Sequence, residues 1–214
     1  MSPGKHAELI YVHDPMCSWC WGFEEVKNRL YRELPATITH RRLLGGLAKD
    51  TSQPMPSHLQ AQIQQTWKRI EVTIPGIVFN FDFWSRCSPR RSTYPACRAV
   101  IAARQQGDEY DEIMTSRIQR AYYQEARNPS DVSTLQALAA EIGLDLDKFQ
   151  DDLAAEATQQ ILMNEIELAG KLHIDSFPAL LLMLDDTAWP VAIDYLDASS
   201  MLEVIQMLLD DCTE

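Results

Sequence analysis

The stretch Asp14-Pro15-Met16-Cys17-Ser18-Trp19-Cys20-Trp21-Gly22-Phe23 decides the fold, because it joins a strand pattern to a helix pattern and carries two cysteines three positions apart. Upstream, Glu8-Leu9-Ile10-Tyr11-Val12-His13 is rich in β-branched and aromatic residues, and Asp14-Pro15 punctuates it as a turn does. Downstream, Phe23, Val26, Leu30 and Leu34 recur at helical spacing, so an amphipathic helix of about four turns starts near Cys17. A cysteine placed there faces unpaired backbone N–H groups and the positive end of the helix dipole. The thiolate is the nucleophile of disulfide exchange, and half-ionising an ordinary thiol at neutral pH takes about 2 kcal/mol. The dipole usually contributes about 0.3–1 kcal/mol. Hydrogen bonds onto the Cys17 sulfur, from Ser18, Trp19 or Cys20, are therefore expected to supply the rest. Cys20, one turn on, is expected to be the more buried thiol and to attack a mixed disulfide formed at Cys17.

The same spacing also occurs in structural zinc sites, which need two further ligands. Cys87 and Cys97 lie ten positions apart, Cys212 is close to the C-terminus, and His6, His13, His40, His58 and His173 form no paired motif. No metal is expected. Five cysteines is an odd number, so at least one thiol has no intramolecular partner in any oxidised state. Cys97 reads as a small buried hydrophobe. Cys87, in the loop with Arg86, Arg90 and Arg91, is the better reactive candidate, because guanidinium groups favour a thiolate. Both are carried forward as auxiliary thiols.

A chain of 214 residues can bury a sizeable core, and its net charge of −12 argues against nucleic acid or an anionic membrane as the main partner. No apolar run approaches the ~20 residues of a membrane span, and residues 1–6 lack the pattern of a signal peptide. A cytoplasmic location is expected, where standing disulfides are rare and a Cys-x-x-Cys pair is more often catalytic. Nothing in the sequence fixes an oligomeric state.

Beyond the first helix, Pro35 breaks the pattern and residues 36–44 read as a second strand, parallel to the first because a helix connects them. Gly45-Gly46 ends it without the Lys-Ser/Thr of a phosphate loop. Leu59, Ile63, Trp67 and Ile70 mark a helix over 57–71. Residues 76–93 are aromatic and irregular, with Phe79, Phe81 and Phe83 read as core. Residues 94–172 are helical in several pieces, with Ile113, Ile161 and others assigned inward. Pro178 opens an apolar strand to Leu184, residues 185–187 turn, residues 191–195 return as an antiparallel strand, and a helix over 199–211 closes the chain, with Val204 inward. The expected class is α/β: a thioredoxin-like fold, β-α-β … β-β-α, interrupted by an all-helical insertion. The expected domains are 1–48 with 170–214, and the insertion at 49–169.

With Cys17-Ser18-Trp19-Cys20 opening the first helix, Ser176-Phe177-Pro178 opening the third strand, Tyr94-Pro95-Ala96-Cys97-Arg98-Ala99, and Gly143-Leu144-Asp145 followed by Phe149, the chain resembles DsbA-like thioredoxin-fold oxidoreductases. The closer resemblance is to their cytoplasmic FrnE-like branch. It implies a thiol–disulfide oxidoreductase acting on protein or small-molecule thiols and disulfides. Its redox group would be the Cys17–Cys20 disulfide, with no other cofactor beyond glutathione as reductant or co-substrate. Ser18 and Trp19 would tune the pair, and Phe177-Pro178 would be a cis peptide presenting backbone to an extended substrate. Phe177 departs from the small or β-branched residue common at that position in the wider group, which bears on substrate preference. Two other classes remain open: a glutathione-dependent isomerase or transferase of the kappa or 2-hydroxychromene-2-carboxylate isomerase type, which needs no Cys-x-x-Cys, and a non-catalytic thioredoxin-fold binding module.

Overall fold

Residues 7–211 are described by the structure, a computed structural model; Cys212 lies outside them. Four strands form one mixed sheet in the order β2-β1-β3-β4. The central strand β1 (Ala7–His13) pairs with parallel β2 (Ile38–Leu44) on one side and antiparallel β3 (Ala179–Leu184) on the other. Six of its seven residues are buried, which is why its sequence runs almost continuously apolar instead of alternating. The edge strand β4 (Thr187–Val191) carries Pro190, which the outer position tolerates because one side of the strand needs no ladder bonds.

Helix α1 (Ser18–Glu33) connects β1 to β2 and buries Cys20, Phe23 and Leu30. Between β2 and β3 the chain is helical: α2 (Ser57–Thr73), the single turn α3 (Phe83–Arg86), α4 (Tyr94–Arg104), α5 (Tyr110–Tyr123), α6 (Val132–Glu141), α7 (Leu146–Ala154) and α8 (Glu156–Lys171). A last helix, α9 (Ser199–Asp211), packs on the sheet through Met201 and Ile205. The thioredoxin-like β-α-β … β-β-α order with helices inserted is thus realised. Met16 and Leu44, from the strand ends, belong to the same buried cluster as Trp67, Phe79, Phe83 and the inward faces of α4–α6. The helices between β2 and β3 are therefore packed directly onto the loop that carries the cysteines.

The structure changes several details. The returning strand is Thr187–Val191, not 191–195, because a two-residue turn at Asp185-Asp186 pairs Leu184 with Thr187 at once; Asp185 adopts φ 52° to make it. Asp194 then accepts from the backbone N–H groups of Leu196 and Asp197, a local turn that competes with sheet pairing. Ile193 and Tyr195 keep their inward direction, packing on the core from this loop. Phe79 and Phe83 are buried as expected, but around Trp67 and with no strand. Ile113, Ile161 and Val204, read as inward, are 42%, 36% and 38% exposed, since they sit at the margins of their helices' apolar stripes.

Candidate active site

Cys17 is the N-cap residue of α1, in extended conformation, with its backbone N–H donating to Asp14 O at 3.0 Å. The first α-helical bond runs from Trp21 N to Cys17 O at 3.1 Å, so the N–H groups of Ser18, Trp19 and Cys20 have no partner within the helix. Both cysteines are free thiols. Cys17 is 7% exposed and Cys20 is fully enclosed, the order the helix position predicts. Burial first, then the neighbouring Cys17 thiol, push the Cys20 pKa well above the ordinary thiol value, so Cys20 holds its proton in the resting protein.

The loop before β3 supplies the opposite side. The Phe177–Pro178 peptide is cis, and Cys17 Sγ donates to Phe177 O at 3.4 Å. This contact joins residues 160 positions apart. The bulk of Phe177 is accommodated by Gly45: a Cβ there would stand 2.1 Å from two ring carbons. The Gly45-Gly46 pair, read in sequence only as a poor phosphate loop, is in fact the clearance for Phe177 and, at Gly46 with φ +60°, for Ile166.

Helix α2 covers the two residues between the cysteines. Trp67, fully buried, donates Nε1–H to Ser18 Oγ at 2.9 Å. Arg69 stacks its guanidinium over the Trp19 ring, with Cζ 5.4 Å from the centroid, and Tyr195 meets the same ring at 4.9 Å. Gly22 lets the two helices approach, since a Cβ at that position would lie 2.7 Å from Ile74 Cδ1. Beside Tyr195 a cleft of about 790 Å³ runs along α1 away from the cysteines, with Trp21, Ile77 and Leu196 on its apolar side and Glu24, Glu25 and Arg29 on its charged side.

Asp14 is the residue that pattern reading missed. It is fully buried, yet its carboxylate accepts from Met16 N (2.8 Å), Leu47 N (2.7 Å), Thr93 Oγ1 (2.6 Å) and Cys97 Sγ (3.5 Å). It ties the end of β1, the loop after β2 and the start of α4 into one frame beneath the cysteines, and its charge contributes to raising Cys20. An aspartate three residues before a Cys-x-x-Cys pair was the available signal.

Cys97 is fully buried, as its reading as a small buried hydrophobe expects, and burial together with Asp14 pushes its pKa well up. Cys87 donates to Ala126 O at 3.1 Å. Its pKa is raised by burial and then by Asp131, with Arg86 opposing; the flanking arginines do not create a thiolate there because Arg90 is held by Asp131 and Ser130 O. No hydrogen bond among the described residues joins Cys87 or Cys97 to Cys17 or Cys20. No group of three metal-ligating side chains occurs among the described residues, and no helix there is long and apolar enough to cross a membrane.

A thioredoxin family model matches residues 10–190. A candidate protein disulfide isomerase from Nitrosomonas europaea superposes with a TM-score of 0.84 at 26% identity, over 96% of this chain and 98% of that one. The cytosolic disulfide reductase DsbM from Pseudomonas aeruginosa, also solved with GSH, gives 0.75 at 25% identity, over 95% and 98%. In sequence, the ClpXP adapter protein SpxH of Bacillus subtilis is 25% identical over 179 residues, which is 83% of this chain and 58% of that relative's length. The chain thus spans less than two thirds of that adapter.

Proposed function

Because the chain belongs to the thioredoxin family, with DsbA-like oxidoreductases as its structural neighbours, we propose that it is a thiol–disulfide oxidoreductase working through the Cys17–Cys20 pair. The observation that carries this reading is the thiol of Cys17, at the N-cap of α1, in contact with Phe177 O, with the buried thiol of Cys20 one turn behind it. In the reducing direction the Cys17 thiolate attacks one sulfur of a substrate disulfide; a Cys17–substrate disulfide forms and the other sulfur leaves as a thiolate. The buried Cys20 then gives up its proton and attacks Cys17 Sγ. The Cys17–Cys20 disulfide closes, the second substrate thiolate departs, and two electrons have passed from protein to substrate. The opposite direction runs the same steps in reverse. Ser18 and Trp19 set the geometry of the pair, and Phe177-Pro178 offers backbone to the substrate chain. The cleft beside Tyr195 gives an extended polypeptide room along α1. That DsbM is a cytosolic disulfide reductase supports a cytoplasmic place for this chain too, as does the FrnE-like character of its motifs.

The likeness to SpxH supports a second reading, a binding module whose thioredoxin fold holds a protein partner without redox turnover. Insulin reduction with dithiothreitol separates the two. Under the proposal, wild-type protein accelerates it and Cys17→Ser abolishes the acceleration; wild-type protein without effect leaves the adapter reading standing.

A further inference from the structure

Arg69 is an exposed cation with no carboxylate within ion-pair distance among the described residues, in a chain of net charge −12. Most other guanidinium groups near the core are committed: Arg42 to Asp111, Arg98 to Asp50, Arg104 to Glu165, Arg117 to Glu125 and Glu141. Arg69 instead lies over the ring of Trp19, two residues from the nucleophilic sulfur. Its position is fixed from both ends. Trp67, half a turn earlier on α2, donates to Ser18, and Ile70 and Ile74 press on Gly22, so α2 cannot slide along α1. The cation–π contact holds the guanidinium over the Trp19 ring with no protein acceptor on its N–H groups among the described residues, and a guanidinium fork matches a carboxylate.

From this juxtaposition we propose that Arg69, held on Trp19, is a carboxylate subsite that selects low-molecular-weight disulfides carrying an acid group, of which glutathione disulfide is one. The inference rests on the oxidoreductase reading above and adds the class of partner. When the Cys17 thiolate attacks such a disulfide, one half remains on Cys17 as the mixed disulfide with its carboxylate on Arg69, and the other half leaves as a thiolate; attack by Cys20 releases the first half. A single exposed cation fits a single acid group on a small molecule better than it fits an extended acidic surface.

The test uses three disulfides of similar size: dithiodipropionate (anionic), bis(2-hydroxyethyl) disulfide (neutral) and cystamine (cationic), with glutathione disulfide as the larger anionic probe. The readout is the ratio of the second-order rate constants with which each charged disulfide and the neutral one oxidise the pre-reduced Cys17/Cys20 dithiol, whose thiols supply the two electrons, followed by loss of free thiol. Wild-type protein is expected to prefer dithiodipropionate over the neutral disulfide, and cystamine least. In Arg69→Gln the anionic preference should fall about 5-fold, the effect of an exposed ion pair, and shrink further in high salt. Arg69→Lys should keep part of it. An unchanged ratio in Arg69→Gln, or no anionic preference in the wild type, overturns the inference. Failure of the wild type to react with any of the four disulfides instead removes the oxidoreductase reading beneath it.

Discussion

Replacing Gly45 by alanine perturbs the support of the Phe177 carbonyl at its tightest point. The new Cβ would stand 2.1 Å from Cε1 and Cζ of Phe177 and 2.8 Å from Cε2, far inside the roughly 3.5–4.0 Å of favourable carbon–carbon contact. Gly45 does not occupy the left-handed region, so alanine meets no backbone penalty and the whole cost arises from the ring. Retreat is restricted, because Phe177 packs against Ile10, Val12, Leu43, Ala169 and Leu181. Overpacking of this kind costs about 1–3 kcal/mol. It also shifts the carbonyl that Cys17 Sγ reaches at 3.4 Å, so insulin reduction should slow. Phe177→Ala removes the clashing atoms. Urea unfolding of wild type, both single variants and the double variant is the assay. Gly45→Ala alone should lose about 1–3 kcal/mol, whereas in the Phe177→Ala background it should change stability by no more than about 0.5 kcal/mol. An equal loss in both backgrounds would refute the idea that the glycine exists to admit the ring.

Three further outcomes are expected. Asp14→Asn should cost about 1–3 kcal/mol in urea unfolding, since one amide oxygen cannot serve all four donors and a buried group is left unpaired; because the Asp14 charge helps to raise Cys20, the pH profile of mixed-disulfide resolution should also move to lower pH, and an unmoved profile would sever Asp14 from Cys20. Trp67→Phe deletes the 2.9 Å bond to Ser18 Oγ, with an expected loss of about 0.5–1.5 kcal/mol; a Ser18→Ala variant equally destabilised by the same change would show the bond to be idle. Burial, then Arg42, Lys27 and Arg104, hold His13 well below the ordinary 6.5, so the native ring stays neutral while the unfolded chain takes up a proton below that pH. The contribution of His13 to stability is therefore complete above pH 6.5 and falls by up to about 1.4 kcal/mol per pH unit below it. His13→Gln should flatten the stability difference between about pH 7 and about pH 5.5, measured by urea unfolding; the same slope in both proteins would place that titration elsewhere.

Sequence was sufficient for β1, β2, β3, α1 and the position of Cys17, because hydrophobic period and turn residues are local signals. β1 betrays its central place by being apolar on both faces, and α1 by the change of period at Cys17. What escaped was set by contacts distant in the chain. Gly45 acquires its meaning only when β3 brings Phe177 against it. Trp67 reads as one more core residue of α2 until its indole meets Ser18, 49 positions away. The strand misread at residues 191–195 shows a different limit: Val191, Ile193 and Tyr195 alternate as a strand does, yet the side chain of Asp194 captures the backbone that a ladder would need. Around Cys87, sequence adjacency did not reveal that Arg90 serves Asp131 and Ser130 O, or that Asp131, from another part of the chain, opposes Arg86 at the thiol.

The central claim is an ordered exchange in which Cys17 bonds the partner and Cys20 resolves it. Non-reducing capture of mixed disulfides by Cys20→Ser and Cys17→Ser, each incubated with the same disulfide-bonded protein and read by mass, tests that order directly. The account predicts that Cys20→Ser accumulates a covalent adduct through Cys17, released by dithiothreitol, and that Cys17→Ser accumulates none. Equal adducts on both variants, or an adduct only on Cys17→Ser, would contradict it.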